Sequence, residues 1–429
     1  MNPVLCLICI MLVPLAAAGL ALIHQGLGRS RSAAHAMLGC LCALGISAIA
    51  FVAIGFSLAG YVGGPAHSFG AGGVRWDWVG AAGLFGGGMG LDGVEGVGLT
   101  KALTLCLEMF AAGLAAMIPL SAGADRWRLG PICAASAVLA GLTFPLFTHW
   151  VWGGGWLAQL GTNFGISGFV DVGGAGVIQV MGGLMGLAVA WIIGPRRAKY
   201  AEGGMAAAIP GHNIVLVLFG CVLALVGWMG LDAAASILFY GAGVEQVVGV
   251  VVNAMLSASA GCLAAVAITR ARYRKPDASL SANGWIAGLV AGSAACAMVS
   301  PVAAIDIGLV AGAVVTYMIE LFELKLQVDD PGGAISVHAG AGAWGLLAVG
   351  LFGHFASGDR GGHVLAQLVG VAALLGFMLP VMYGGNLLLN RFTRYRVDND
   401  GDWQGMDIRE LGAGAYPEFV VHADEFVPR

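Results

Sequence analysis

Eleven stretches of about 20 apolar residues follow one another along this chain, at about 3–24, 35–60, 100–121, 131–150, 173–194, 211–231, 243–268, 282–299, 304–324, 335–354 and 364–390. That repetition constrains the fold more than any other feature. A helix needs about 20 apolar residues to cross the ~30 Å hydrocarbon core of a bilayer, and inside that core only helices and closed barrels satisfy their own backbone. The expectation is an all-α polytopic membrane protein with eleven transmembrane helices, embedded in a lipid bilayer as its first partner. Charged residues make up only 10% of the 429 residues, against about 25% in soluble chains. So few cannot cover a soluble surface, which excludes a cytosolic enzyme. A net charge of -4 gives no basic footprint for nucleic acid. The 71 glycines, with no collagen period, suit closely packed membrane helices.

The nine cysteines lie inside apolar runs, where they read as small buried residues, not as a disulfide framework. No cluster has metal-ligand spacing and no nucleophile stands beside a base, so neither cofactor nor catalysis is expected. No Lys or Arg precedes Arg29. The first run therefore lacks the basic region of a signal peptide and reads as the first spanning helix.

Basic residues set the orientation. Seventeen of the twenty Lys and Arg residues fall in alternate loops and in the segment 391–429, leaving Arg75, Lys101 and Arg360 on the other side. The expected topology puts the N-terminus outside and the C-terminus in the cytoplasm of a multi-pass cell-membrane protein, with residues 391–429 as a soluble cytoplasmic tail. Asp77, Asp92, Glu95, Asp171, Asp232, Glu245, Asp306 and Asp359 fall on the outer side or at helix ends facing it. A field of that sign concentrates cations.

An internal repeat points to a site. DVGGAGVIQ (171–179) resembles DPGGAISVH (330–338) at an offset of 159 residues, and Gly183, Gly186, Leu187 and Gly194 match their counterparts further on. These are the fifth and tenth runs, so the copies cross the membrane in opposite directions. Such an inverted five-plus-five repeat is the plan of many transporters, with the substrate site near the midplane. Asp171 and Asp330 are placed to cap helix N-termini. Gln179 and His338 lie eight residues further in, or about 12 Å at 1.5 Å per residue, so both reach close to the midplane from opposite faces. Polar side chains there are functional candidates.

Six ordered segments resemble the ammonium transporter family, Amt/Mep/Rh: GLALIHQGLGRSRS (19–32), HWVWGGGWL (149–157), GFVDVGGAGVI (168–178), GHNIVLVLFGCVLALVGWMGLD (211–232), GLVAGSAACAMVSP (288–301) and DDPGGAISVHAGAGAWG (329–345). The tail QGMDIRELGAGAYP (404–417) is similar to the family's regulatory C-terminus. The resemblance implies an Amt-like channel domain over 1–390, with repeat halves about 1–195 and 211–355, a closing helix about 364–390, and a regulatory tail over 391–429. It also implies a homotrimer with one pore per subunit, ammonium, ammonia or methylammonium as substrate, and a cytoplasmic PII signalling protein as candidate partner. By the same resemblance Trp152 and Asp171 recruit the cation at an outer vestibule, and His338 is a pore histidine.

Departures from the family pattern are equally specific. Gln179 stands where the family has its first pore histidine, and glutamine does not titrate. Leu231 replaces a gate Phe, and Ala235 a vestibule Ser. In CLEMFAAG (106–113), Phe110 or Ala111 falls at the gate, and Glu108 is a carboxylate near the pore mouth, either attracting cations or bonded between helices. The leading expectation is ammonium or ammonia transport past Gln179 and His338. Alternatives are a non-conducting ammonium sensor, or a channel on the same scaffold for another small neutral molecule.

Overall fold

The computed structural model describes residues 1–87, 97–200, 204–355 and 358–416. Among them are eleven long helices: α1 (Pro3–Leu27), α2 (Ser30–Ala59), α3 (Gly98–Ala122), α4 (Leu129–Val151), α5 (Ala175–Ile193), α6 (Ile214–Tyr240), α7 (Val244–Tyr273), α8 (Ala278–Ser293), α9 (Pro301–Lys325), α10 (Ile335–Phe352) and α11 (Arg360–Phe392). Ten of them are long and apolar enough to cross a membrane. The exception is α8, whose 16 residues correct the expected span 282–299 at both ends. It starts early because the Asp277 side chain accepts from Leu280 N at 2.8 Å. It stops early because the carbonyls of Ser293 and Ala294 accept the amides of Gly173 and Val172, both at 2.9 Å. The chain entering α5 thus satisfies the end of α8, and irregular backbone is tolerated where protein buries it.

One element departs from the all-α expectation. Between α2 and α3, β1 (Ala66–Ala71) and β2 (Val74–Gly80) form an antiparallel hairpin. Its two-residue turn, Gly72 and Gly73, has φ of 64° and 78°, the left-handed pair that glycine supplies most readily. Trp78 of β2 lies against Trp150 of α4, ring centres 4.8 Å apart. Asp92 and Glu95 fall outside the described residues.

Small residues set the helix packing. The first helices of the two half-repeats, α1 and α6, approach so closely that a Cβ on Gly227 would lie 1.9 Å from Ala16 N, and one on Gly19 would lie 2.5 Å from Gly220 O. The repeat helices α5 and α10 cross in a reciprocal way. A Cβ on Gly183 would meet Ala339 N at 2.4 Å, and one on Gly342 would meet Val180 Cγ2 at 2.7 Å. Adding the 159-residue offset turns one pair into the other, as a two-fold relation between the halves requires.

Residues 393–416 are folded back on the helix ends, which sharpens the expectation of a soluble tail. Asp407 caps α2, accepting from His35 N at 2.8 Å and Ala34 N at 3.2 Å. Glu410 accepts from Leu129 N at the start of α4 and from Arg128 Nε, both at 3.1 Å. A short helix α12 (Asn399–Gln404) carries Asp402, which pairs with Arg396 at 2.8 Å. Residues 417–429, with Pro417 and Arg429, lie outside the described residues.

Candidate functional site

The site is built where α5 and α10 begin. Each starts with a wide π-helical turn, Ala175–Val180 and Ile335–Gly340, a feature frequent at functional sites. Glycine in the left-handed region precedes each turn, Gly174 at φ 86° and Gly333 at φ 72°. The capping aspartates act in parallel. Asp171 Oδ2 accepts from Gly176 N at 2.8 Å and Val177 N at 2.9 Å, and Asp330 Oδ2 accepts from Ile335 N at 2.7 Å. Residues 176 and 335 are again 159 apart.

The two π turns bring Gln179 and His338 together. His338 Nδ1 lies 2.8 Å from Gln179 Oε1, and both side chains are buried. The amide oxygen only accepts, so Nδ1 carries the hydrogen and Nε2 of the neutral ring is left as an acceptor. Gln179 Nε2 has no partner among the described residues.

Beside the start of α5, Trp152 donates its indole N–H to the Asp171 carbonyl at 2.8 Å. It is buried and stacked on Phe239, ring centres 4.5 Å apart at 16°. One of its two faces is therefore covered, by an aromatic that sequence reasoning missed. Tyr240 O–H accepts from Asp171 N at 3.2 Å. Two of the acids assigned to an outer field, Asp171 and Asp232, are instead buried. Asp232 Oδ2 accepts from Ser293 O–H at 3.2 Å, and the second oxygen of each aspartate has no partner among the described residues. A Cβ on Gly173 would lie 2.1 Å from Asp232 Oδ1, so glycine is what lets the carboxyl approach.

Leu231 and Ala235 are fully buried on α6, and Ser236 O–H is turned onto the Asp232 carbonyl at 2.6 Å. On α3, Glu108, Ala111, Ala115 and Ile118 are spaced to share one face, and Ala115 and Ile118 meet Gly182 of α5. Glu108 and Ala111 are buried, whereas Phe110 is half-buried and one position off that stripe. The geometry therefore favours Ala111 over Phe110 at the α5 side. Glu108 Oε2 has no partner among the described residues.

Where α5 ends and α10 begins lies an ion cluster that sequence reasoning missed. Arg196 pairs with Asp329 at 2.9 Å and Asp125 at 3.1 Å. Buried Arg126 donates to the carbonyls of Asp329 at 2.7 Å and Gly194 at 2.9 Å. Burial alone would raise the Asp329 pKa, but the Arg126 and Arg196 charges overcome it and hold the carboxyl down at about 2. Pairs so far apart in sequence leave no local signal.

Residues 4–416 match the family model of the Ammonium Transporter Family. The chain is 33% identical to ammonium transporter Amt2 of Archaeoglobus fulgidus, over 96% of this chain and 88% of that protein. It is 29% identical to an ammonium transporter of Bacillus subtilis, covering 96% and 97%. A solved structure described as a sensor Amt protein superposes with a TM-score of 0.86 at 26% identity, covering 96% of this chain and 98% of that one. Mep2 of Candida albicans, at 22% identity, a TM-score of 0.77 and coverage of 97% and 90%, shares the fold.

Proposed function

The chain belongs to the ammonium transporter family, a multi-pass membrane protein, and from that premise we propose that it moves ammonium or ammonia across the cell membrane past Gln179 and His338. The observation that carries this reading is the buried 2.8 Å contact between those two side chains, where the halves of the inverted repeat meet. The order of events follows from chemistry. The negative end of the site, Asp171 with the Trp152–Phe239 stack, draws the cation in. Passage into the apolar interior then strips its water or its proton, since an uncompensated charge there is costly. His338 Nε2 is the acceptor available to the arriving group, and Gln179 holds the ring in that tautomer without titrating. Leu231, Ala235 and Ala111 keep the passage apolar, with Phe110 beside it. Glu108 adds a further carboxyl on the α3 face. The protein acts as a transporter and not as an enzyme, with a homotrimer as the assembly and a PII-type cytoplasmic protein as partner of the tail.

Proteoliposomes holding the purified protein test the reading, by uptake of labelled methylammonium and by membrane current under an ammonium gradient. Both signals are expected above those of empty vesicles. Gln179→His, which offers His338 a second imidazole, is expected to alter the ratio of current to uptake while leaving assembly unchanged. Saturable ammonium binding without flux, in correctly assembled protein, supports the sensor reading instead. Gln179 is the observation in favour of that second reading, because a site with one titratable group binds a cation more readily than it deprotonates one.

A further inference from the structure

We propose that His24 of α1 is the second ionisable group of the site and takes the proton that His338 removes from the substrate, an inference that rests on the transport reading above. His24 is buried, and its Nδ1 has no partner among the described residues. It lines two separate cavities. One, of about 10 Å³, is shared with His338 and flanked by Ser121 and Asn283. The other, of about 20 Å³, is shared with His35, Asp125 and Trp127. A water needs roughly 10–15 Å³ measured this way, and two or more polar partners. Each cavity is the size of one water and offers those partners.

The arrangement has a direction. Gln179 engages His338 Nδ1, so exchange at His338 takes place at Nε2. The first cavity joins His338 to His24. The second joins His24 to His35, whose backbone amide the tail's Asp407 caps, and to Asp125, which is paired with Arg196. A buried imidazole with a bare nitrogen between two cavities that each carry a few polar side chains is costly to keep in an apolar helix bundle. Packing alone offers no reason for it.

Ammonium gives one proton to His338 Nε2 and leaves as ammonia, and the His338 ring becomes a cation. A water in the first cavity accepts that proton and passes one of its own to His24. His338 returns to its neutral Nδ1–H form, still bonded to Gln179. His24 then releases its proton through the second cavity toward His35. One positive charge moves and none is created.

The test compares wild type with His24→Gln, and with His24→Asn should the first variant fold poorly. In proteoliposomes His24→Gln is expected to lower the ammonium-driven current by roughly a hundredfold, the scale of a lost general base, with thermal stability retained. A current within about twofold of wild type overturns the proposal. A second readout does not need transport: ¹⁵N-histidine NMR of the protein in bilayers. Water cross-peaks from both rings, and a shift of the His338 Nε2 signal on His24→Gln, support a shared water, and an unmoved His338 signal overturns it. If the wild type carries no current at all, the transport reading fails, and the proton-relay role of His24 fails with it.

Discussion

At the scale of single residues, the structure separates side chains that share a composition but not a circumstance. Asp171 and Asp329 are both buried carboxyls. Asp171 is held by backbone amides at the mouth of α5, whereas Asp329 is held by two guanidinium groups. That difference yields a pH dependence for Asp329. Its folded pKa, about 2, lies below the ordinary aspartate value of about 3.9. The stabilisation is therefore fully present above pH ~4 and is lost as pH falls through about 2, a contribution of ~2 kcal/mol. Asp329→Asn leaves Arg126 and Arg196 buried with a partner missing, and breaking a pair of that kind costs about 3–5 kcal/mol. Thermal unfolding in detergent at pH 7 should show a clearly lower midpoint for the variant, and the gap should narrow at pH 3. A gap that is constant with pH would mean that Asp329 acts through shape alone. None of this was legible in the sequence, because Asp125 and Arg126, Arg196 and Asp329 sit in three loops that only the fold brings together. Gln179 and His338 were legible, because the 159-residue repeat gave each a reference position in the other half.

At the scale of elements, the crossing of α5 and α10 decides whether those two side chains meet. Glycine is required there by close approach: a Cβ on Gly183 would lie 2.4 Å from a backbone nitrogen of the partner helix, which no rotamer change relieves. Gly183→Ala should push the helices apart, at a cost of about 1–3 kcal/mol for overpacking, and open the Gln179–His338 contact. The expected result is a lower unfolding midpoint together with loss of methylammonium uptake. Gly249→Ala, on α7 with open space around the added methyl, should change neither. Equal effects of the two substitutions would sink the close-approach argument. Helix periodicity and apolar length gave the spanning helices their approximate places, since burial in lipid depends on local composition. It failed at α8, whose end is fixed by amides of Val172 and Gly173 arriving from elsewhere. The hairpin was missed for a different reason. Its GGV turn and the alternating VRWDWV are a strand signal too short and too polar to register among apolar runs of membrane length. Phe239 and His24 were passed over because a lone aromatic or histidine in an apolar run, with no repeat-mate, looks like any buried side chain.

At the scale of the whole molecule, sidedness governs function, since an outer vestibule and an inner tail are meaningful only if the chain crosses in the expected sense. The sorting of seventeen bases to one side carries that expectation, and the fold adds a physical reason for it. The tail packs against the same helix ends that hold Arg126, Arg128 and Arg196, pairing Glu410 with Arg128 and Asp402 with Arg29. The hairpin lies at the opposite ends of α2 and α4, with Trp78 on Trp150. Two exposed positions therefore report on opposite faces: Ser68 in the hairpin and Lys275 after α7. The native cysteines are buried or partly buried, so a membrane-impermeant maleimide should give low background on intact cells. Ser68→Cys should label from outside without permeabilisation. Lys275→Cys should label only once the membrane is opened. If the pattern is reversed, Trp152 and Asp171 face the cytoplasm, and the recruitment step and the His24 relay must both be turned around. If both positions label from outside, one of the five helices between them, α3 to α7, does not span.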